Sequence, residues 1–224
     1  MNQHFFTSEE MYQFDQYTIH EIGIPSPVLI ERAAYATFQH LTSILTKQHK
    51  ILIVAGKGNN GADAVALARM LYLANYRILL HIVSDKNLSD EMDQQLAIAK
   101  NIHLPLTYQF DATHFEEADY LIDGIFGIGL SREIKGIYQE IIQTMNVEKK
   151  KKKTLIALDI PSGLSAYTGK SFKTVVQADY TYTFGFKKHG MQYKEGKEVC
   201  GTIVVCDIGY PNNQLALTFD VKET

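Results

Sequence analysis

Short apolar runs alternate along this chain with longer stretches whose apolar positions recur at helical spacing. Ile51-Leu52-Ile53-Val54 is a continuous run, too brief for a helix and soon followed by glycine, as expected of a strand covered on both faces. Comparable strands are predicted at Arg77 to Val83, Leu104 to Phe110, Tyr120-Leu121-Ile122-Asp123 and Leu155-Ile156-Ala157-Leu158-Asp159. Between them, Ala62 to Ala74, Ser89 to Asn101 and Ile134 to Met145 carry a helical pattern. This βαβα rhythm predicts a mostly parallel sheet. Two later runs, Tyr180 to Phe184 and Thr202 to Cys206, follow without long helices between them and are expected to close one edge.

Two helices are predicted ahead of the sheet. Thr7 and Glu10 have capping-box spacing, and Met11, Phe14, Ile19 and Ile22 sketch an apolar stripe. After Gly23-Ile24-Pro25, Ser26-Pro27 reads as an N-cap followed by proline at the first helical position, leading into Val28, Leu29, Ala33, Ala36, Leu41 and Ile44.

Composition narrows the function classes. With 224 residues, 46% of them hydrophobic and 21% charged, the chain can bury a large core without disulfides or metals, and one domain over 1–224 is expected. A net charge of −3 supplies no overall positive field for nucleic acid. Cys200 and Cys206 flank a strand-like run that would separate their Cα atoms by roughly 20 Å, so they read as small apolar residues of a reducing compartment. No apolar stretch approaches the roughly 20 residues of a membrane span, and Met1-Asn2-Gln3-His4 lacks the basic start of a secretory signal. A soluble, cytoplasmic protein is expected. The five lysines Lys149 to Lys153 read as a solvated surface loop, with binding of a phosphate or an acidic partner as the alternative.

Chemistry concentrates after three strands, where ligands of doubly wound sheets bind. In Gly56-Lys57-Gly58-Asn59-Asn60-Gly61-Ala62-Asp63, glycines permit close backbone approach and a following helix offers unpaired N–H groups, which suits a phosphate; a packing role for the glycines is the alternative. The second end is Asp123-Gly124-Ile125-Phe126-Gly127-Ile128-Gly129-Leu130, and the third Asp159-Ile160-Pro161-Ser162-Gly163-Leu164. Either acid could merely cap a turn. Two carboxylates with amide and hydroxyl oxygens suit a general acid/base or a hard, oxygen-ligated cation, and the residue types do not choose between them. No histidine pair has zinc-motif spacing and no G-x-S-x-G elbow is present, which disfavours zinc and serine-nucleophile mechanisms.

Taken in order, Gly-Lys-Gly-Asn-Asn-Gly, Asp-Gly-Ile-Phe-Gly-Ile-Gly-Leu and Leu-Asp-Ile-Pro-Ser-Gly-Leu resemble the NAD(P)H-hydrate epimerases, the YjeF N-terminal domain family. The resemblance extends to Met11-Tyr12-Gln13-Phe14-Asp15, Gly23-Ile24-Pro25, Glu31-Arg32-Ala33, Phe184-Gly185-Phe186-Lys187-Lys188-His189-Gly190 and Asp207-Ile208-Gly209-Tyr210-Pro211. It implies a Rossmann-like three-layer α/β/α sandwich, often a homodimer, that interconverts the R and S forms of hydrated NADH or NADPH at C6. A separate ATP- or ADP-dependent dehydratase would then act on the S form. The resemblance further implies substrate contacts from Asn59, Asn60, Gly61, Ala62 and Asp63, from Gly127, Ile128, Gly129, Leu130, Ser131, Arg132 and Glu133, and from Tyr138 and Asp159. Asn60, Asp123 and Ser162 would hold one potassium ion per subunit.

On the chemistry of such a substrate, one group must give and take a proton at the hydroxyl oxygen, and Asp159 is the expected one. Ala62 and Ala64 stand where the family has glycines, so the first loop would be strained if either needed a positive φ. Two rivals are a non-catalytic nucleotide- or RNA-binding module of the same fold, against which the intact Asp123 and Asp159 count, and a conventional dinucleotide oxidoreductase, whose G-x-G-x-x-G fingerprint is absent.

Overall fold

The computed structural model describes residues 5–84 and 86–211, so the Met1-to-His4 start lies outside the described residues. In chain order the elements are β1 (Phe5–Phe6), α1 (Ser8–Gln16), a π-helical turn (Tyr17–Glu21), α2 (Ser26–Leu41), β2 (Lys50–Ala55), α3 (Asn59–Leu73), β3 (Arg77–Ile82) and α4 (Asp90–Asn101). They continue with β4 (Leu106–Thr107), α5 (Ala112–Glu117), β5 (Tyr120–Gly124), α6 (Ile137–Lys150), β6 (Thr154–Leu158), β7 (Tyr180–Phe184), β8 (Lys187–Lys188), a 3-10 turn (His189–Gln192), α7 (Lys194–Cys200) and β9 (Thr202–Cys206). Seven strands form one parallel sheet in the order β4-β3-β2-β5-β6-β7-β9.

The central strand shows why its sequence is apolar without alternation. Ile51, Ile53 and Ala55 pack with α2, α3 and α4 on one face, whereas Leu52 and Val54 pack with Phe115 of α5 and Ile141 and Met145 of α6 on the other. Each of these Ile, Leu, Val, Phe and Met side chains contributes about 1.5–3 kcal/mol by leaving water. The result is the Rossmann-like α/β/α sandwich expected, with α1 and α2 at its N-terminal end. A separate parallel pair joins β1 to β8, with Phe6 opposite Lys188.

Several boundaries differ from the pattern. The capping box is present, Thr7 N donating to Glu10 Oε2 at 2.7 Å and Glu10 N to Thr7 Oγ1 at 3.2 Å. In α2, however, Pro25 is the N-cap and Ser26 is already helical, so Ser26 does not cap. The strand expected at 104–110 reduces to Leu106–Thr107, because His103 takes a positive φ and Asp111 caps α5. Cys200 and Cys206 are free and buried, and burial pushes their thiols up to about 12 and about 11, in keeping with an apolar role.

The lysine run is solvated at Lys150, Lys151 and Lys152, as expected, but it also works as a clamp. Lys151 and Lys153 pair with the buried Glu148 at 2.7 and 3.1 Å, Lys149 pairs with Asp179 at 3.0 Å, and Lys153 also donates to the carbonyl of Phe115 at 2.7 Å. These contacts tie the end of α6 to α5 and to the segment before β7; Lys150 and Lys152 are exposed. Among the described residues, no helix is long and apolar enough to cross a membrane.

Candidate active site

The chain leaves β2 toward β3 and β4 on one side of the sheet and returns to build β5, β6, β7 and β9 on the other. The carboxyl ends of β2 and β5 therefore flank the topological switch point, where such sheets form a crevice. Gly56 N donates to the carbonyl of Gly124 at 3.0 Å, and a Cβ on Gly56 would collide with the carbonyl of Ile125. Gly61 is likewise pressed against the carbonyl of Gly56. These two glycines serve packing.

Extended Gly58 is the N-cap of α3, so the helix starts at Asn59, three residues earlier than its apolar periodicity indicates. Asn59, Asn60 and Gly61 form its first turn, and no side chain caps it. Ala62 and Ala64 lie within the helix, fully buried, and neither has a positive φ. The two alanines bring no strain; a Cβ on Gly124 would collide with that of Ala64, so β5 supplies the glycine that this contact needs.

Beyond these strand ends lies a cavity of about 720 Å³. Lys57, Asn59, Asn60 and Asp63 form one side, and Gly127 to Arg132 another. Met11, Leu29, Ile30 and Ile208 give it an apolar wall. Asp159, Lys188, Asp15 and Tyr210 line it as well.

The two strand-end acids occupy different surroundings. Asp123 is still within β5, opposite Val54 and Ala157, and has no exposed surface. Its Oδ1 accepts from Ser162 Oγ at 2.6 Å and Ile125 N at 3.1 Å, and its Oδ2 from Ser162 N at 2.8 Å. Burial pushes its carboxyl up to about 6, against these hydrogen bonds. Asp159 lies one residue past β6 with φ +62°, an uncommon conformation for a residue with a side chain. Its Oδ1 takes the ammonium of Lys188 and the N–H of Phe184 at 3.3 Å. A Cβ on Gly127 would lie 3.7 Å from Asp159 Oδ2 and 3.4 Å from Asn60 Cβ, so the three residues share one corner.

Other titratable groups face the same space. Burial, with the charges of Asp159 and Asp15 adding to it, raises Asp63 well above the usual carboxylate range. Asp15 is raised by burial and accepts a 2.6 Å hydrogen bond from the hydroxyl of Tyr210, whose ring stacks on Phe186. Both side-chain polar atoms of Asn60 are buried without a hydrogen-bond partner among the described residues. A buried amide left this way fits a ligand that it would contact. Its Oδ1, with the Asp123 carboxylate and Ser162 Oγ, would make an all-oxygen donor set suited to a hard cation.

Of the residues expected at the site, Asn59, Asn60, Asp63, Gly127, Ile128, Gly129, Leu130, Ser131, Arg132 and Asp159 line the cavity. Gly61 and Ala62 face the core instead, because the helix begins early and turns them inward. Glu133 is exposed and pairs with Lys135 at 3.4 Å, away from the lining. Tyr138 stands behind Phe126, their ring centroids 4.9 Å apart. Asp123 and Ser162 bond to each other beneath the cavity; Ser162 Oγ also accepts from Phe126 N at 2.8 Å, at the loop whose Gly127 adjoins Asn60. Lys188, Asp15 and Tyr210 were seen in the sequence only as parts of longer motifs.

The model of the YjeF-related protein N-terminus matches residues 26–190. The chain is 40% identical over 205 residues to an NAD(P)H-hydrate epimerase of Limosilactobacillus reuteri, covering 90% of this chain and 93% of that one. It is 36% identical over 207 residues to an NAD(P)H-hydrate epimerase of Oenococcus oeni, covering 92% and 96%. The crystal structure of yeast ynu0 superposes with a TM-score of 0.78 at 16% identity, covering 90% of this chain and 87% of that one.

Proposed function

Because the chain belongs to the YjeF-related N-terminal family, we propose that it is an NAD(P)H-hydrate epimerase, an isomerase that inverts C6 of hydrated NADH or NADPH. The observation that carries this reading is Asp159: a carboxylate held in a rare backbone conformation at the corner of a dinucleotide-sized cavity, beside an unpartnered buried amide. A carboxylate in a strained conformation at the cavity corner supports turnover over binding alone.

The reaction follows from the substrate. The carbon that inverts bears a hydroxyl next to a ring nitrogen. In one route Asp159 donates a proton to that hydroxyl, the C–O bond breaks with the nitrogen lone pair filling the gap, and water leaves an iminium. Water then adds from the opposite face and returns its proton to Asp159. In the other route the carboxylate takes the hydroxyl proton and the C–N bond breaks to an aldehyde, its electron pair going to the ring nitrogen; the nitrogen then adds to the other face of the aldehyde and the new oxyanion takes the proton back from Asp159. Either cycle returns Asp159 to its starting state.

The uncapped first turn of α3, with Lys57 and Arg132, suits the phosphates, and the apolar wall of Met11, Leu29 and Ile30 suits a ring. Gly61, Ala62 and Tyr138 support the pocket from behind in this reading, and Glu133 stands at the exposed end of the Gly127 loop, where a bound substrate would have to reach it. We assign Asn60, Asp123 and Ser162 to one potassium ion per subunit, supported by the orphaned amide of Asn60 and the all-oxygen donor set. When bound, the ion would supply fixed positive charge to the pocket. The same reading has the protein as a cytoplasmic homodimer, with a separate ATP- or ADP-dependent dehydratase consuming its S product.

Incubation of the purified protein with the R epimer of hydrated NADPH tests this directly. Chromatography should show equilibration with S; an unchanged R peak, with and without potassium, would instead favour a nucleotide- or RNA-binding module.

A further inference from the structure

Lys188 is 1% exposed, a costly position for an ammonium unless every donor is used. All three are used: one goes to Asp159 Oδ1, one to Thr183 Oγ1 at 2.9 Å and one to the carbonyl of Phe184 at 2.8 Å. Asp159 Oδ1 also takes the Phe184 N–H. That oxygen is thereby committed to the protein, whereas Oδ2 lies toward Gly127 on the cavity wall.

The clamp is itself anchored. Phe6 of β1 lies opposite Lys188 in parallel register, and the Phe186 ring packs against both Phe6 and Phe14, with centroids 4.4 and 5.5 Å away. Asp159 N donates to the carbonyl of Tyr182 at 2.7 Å, fixing the other end of the pair against β7. The positive φ of Asp159 is thus maintained by contacts on both its backbone and its side chain.

Resting on the epimerase reading above, we propose that Lys188 is a positioning residue: it binds Asp159 through Oδ1 and so makes Oδ2 the oxygen that exchanges a proton with the substrate hydroxyl. Lys188 has no proton left for the substrate and does not itself perform the transfer. A residue of this kind acts on turnover and leaves substrate affinity nearly unchanged.

The test compares the wild-type protein with Lys188→Ala and Lys188→Met on the R epimer of hydrated NADPH. Equilibration by the wild type establishes the epimerase reading; its absence would defeat that reading rather than the role of Lys188. With the wild type active, kcat of both variants should fall by about 100-fold while KM stays within about threefold. Added ethylammonium should restore Lys188→Ala at least about tenfold by filling the vacated site, and should do nothing for Asp159→Ala. NADPH affinity by calorimetry verifies an intact cavity in each variant. If Lys188→Ala is not recovered folded, the kcat and KM split of Lys188→Met decides. Retained kcat, or a loss carried by KM, overturns the proposal, as does failure of the amine to rescue a Lys188→Ala protein that still binds NADPH.

Discussion

Asp123 and Asp159 close adjacent strands of one sheet, and in sequence they look alike: each follows a run of apolar residues and precedes a turn rich in glycine or proline. The fold treats them differently. Asp123 is in register with Ala157, inside the sheet, and its two oxygens are taken by Ser162 and Ile125. Asp159 stands two residues further along, outside the sheet, with one oxygen held by Lys188 and the other at a cavity wall. A two-residue offset separates an acid that holds a loop in place from one that faces the cavity. Proximity to a strand end locates the crevice, but register decides which acid faces it.

The largest effect that would sharpen this contrast is on turnover. Asp159→Ala should lower epimerisation by about a thousandfold or more while NADPH affinity, measured by calorimetry, stays within a few-fold. A comparable loss of affinity would make Asp159 a binding residue instead.

Asp123 should report on stability. Asp123→Ala removes the acceptor for three buried or half-buried donors and should cost about 3 kcal/mol in denaturant unfolding. An unchanged midpoint would dissolve the distinction between the two acids.

A pH series tests the same carboxyl more gently. Its folded value of about 6 lies above the ordinary 3.8, so between these the native state holds a proton that the unfolded chain releases. In potassium-free buffer, that contribution is fully present below about pH 4 and is lost as the pH rises through about 6. Asp123→Asn should remove this decline, read from thermal midpoints between pH 4 and 7.

The smallest expected effect concerns the cation. Potassium should raise the thermal midpoint of the wild type by a few degrees over lithium at equal ionic strength, and Asn60→Ala should abolish the difference. Equal midpoints in both salts for the wild type would remove potassium from the account.

Much of this was legible in the chain because it depends on local pattern. The β2 run, the glycines after it and the acids at 123 and 159 are all encoded within a few residues of one another. The start of α3 was misplaced because Asn59-Asn60-Gly61 has no apolar periodicity, although its backbone is helical. Lys188 escaped notice for a different reason. Its burial depends on an acid 29 positions earlier and on a strand at the opposite end of the chain, neither of which leaves a local trace. The lysine run is legible as a solvated surface but not as a clamp, since its acceptors, Glu148, Asp179 and the Phe115 carbonyl, converge only in three dimensions.

The central claim is that these two acids divide the labour, and one paired rate measurement reaches it most directly. Asp159→Asn and Asp123→Asn, each verified as folded, are given the R epimer of hydrated NADPH in potassium buffer, and the appearance of S is followed. Asp159→Asn is expected to be inactive, whereas Asp123→Asn should retain measurable epimerisation at a reduced rate. Turnover by Asp159→Asn, with Asp123→Asn inactive, would overturn this division of labour.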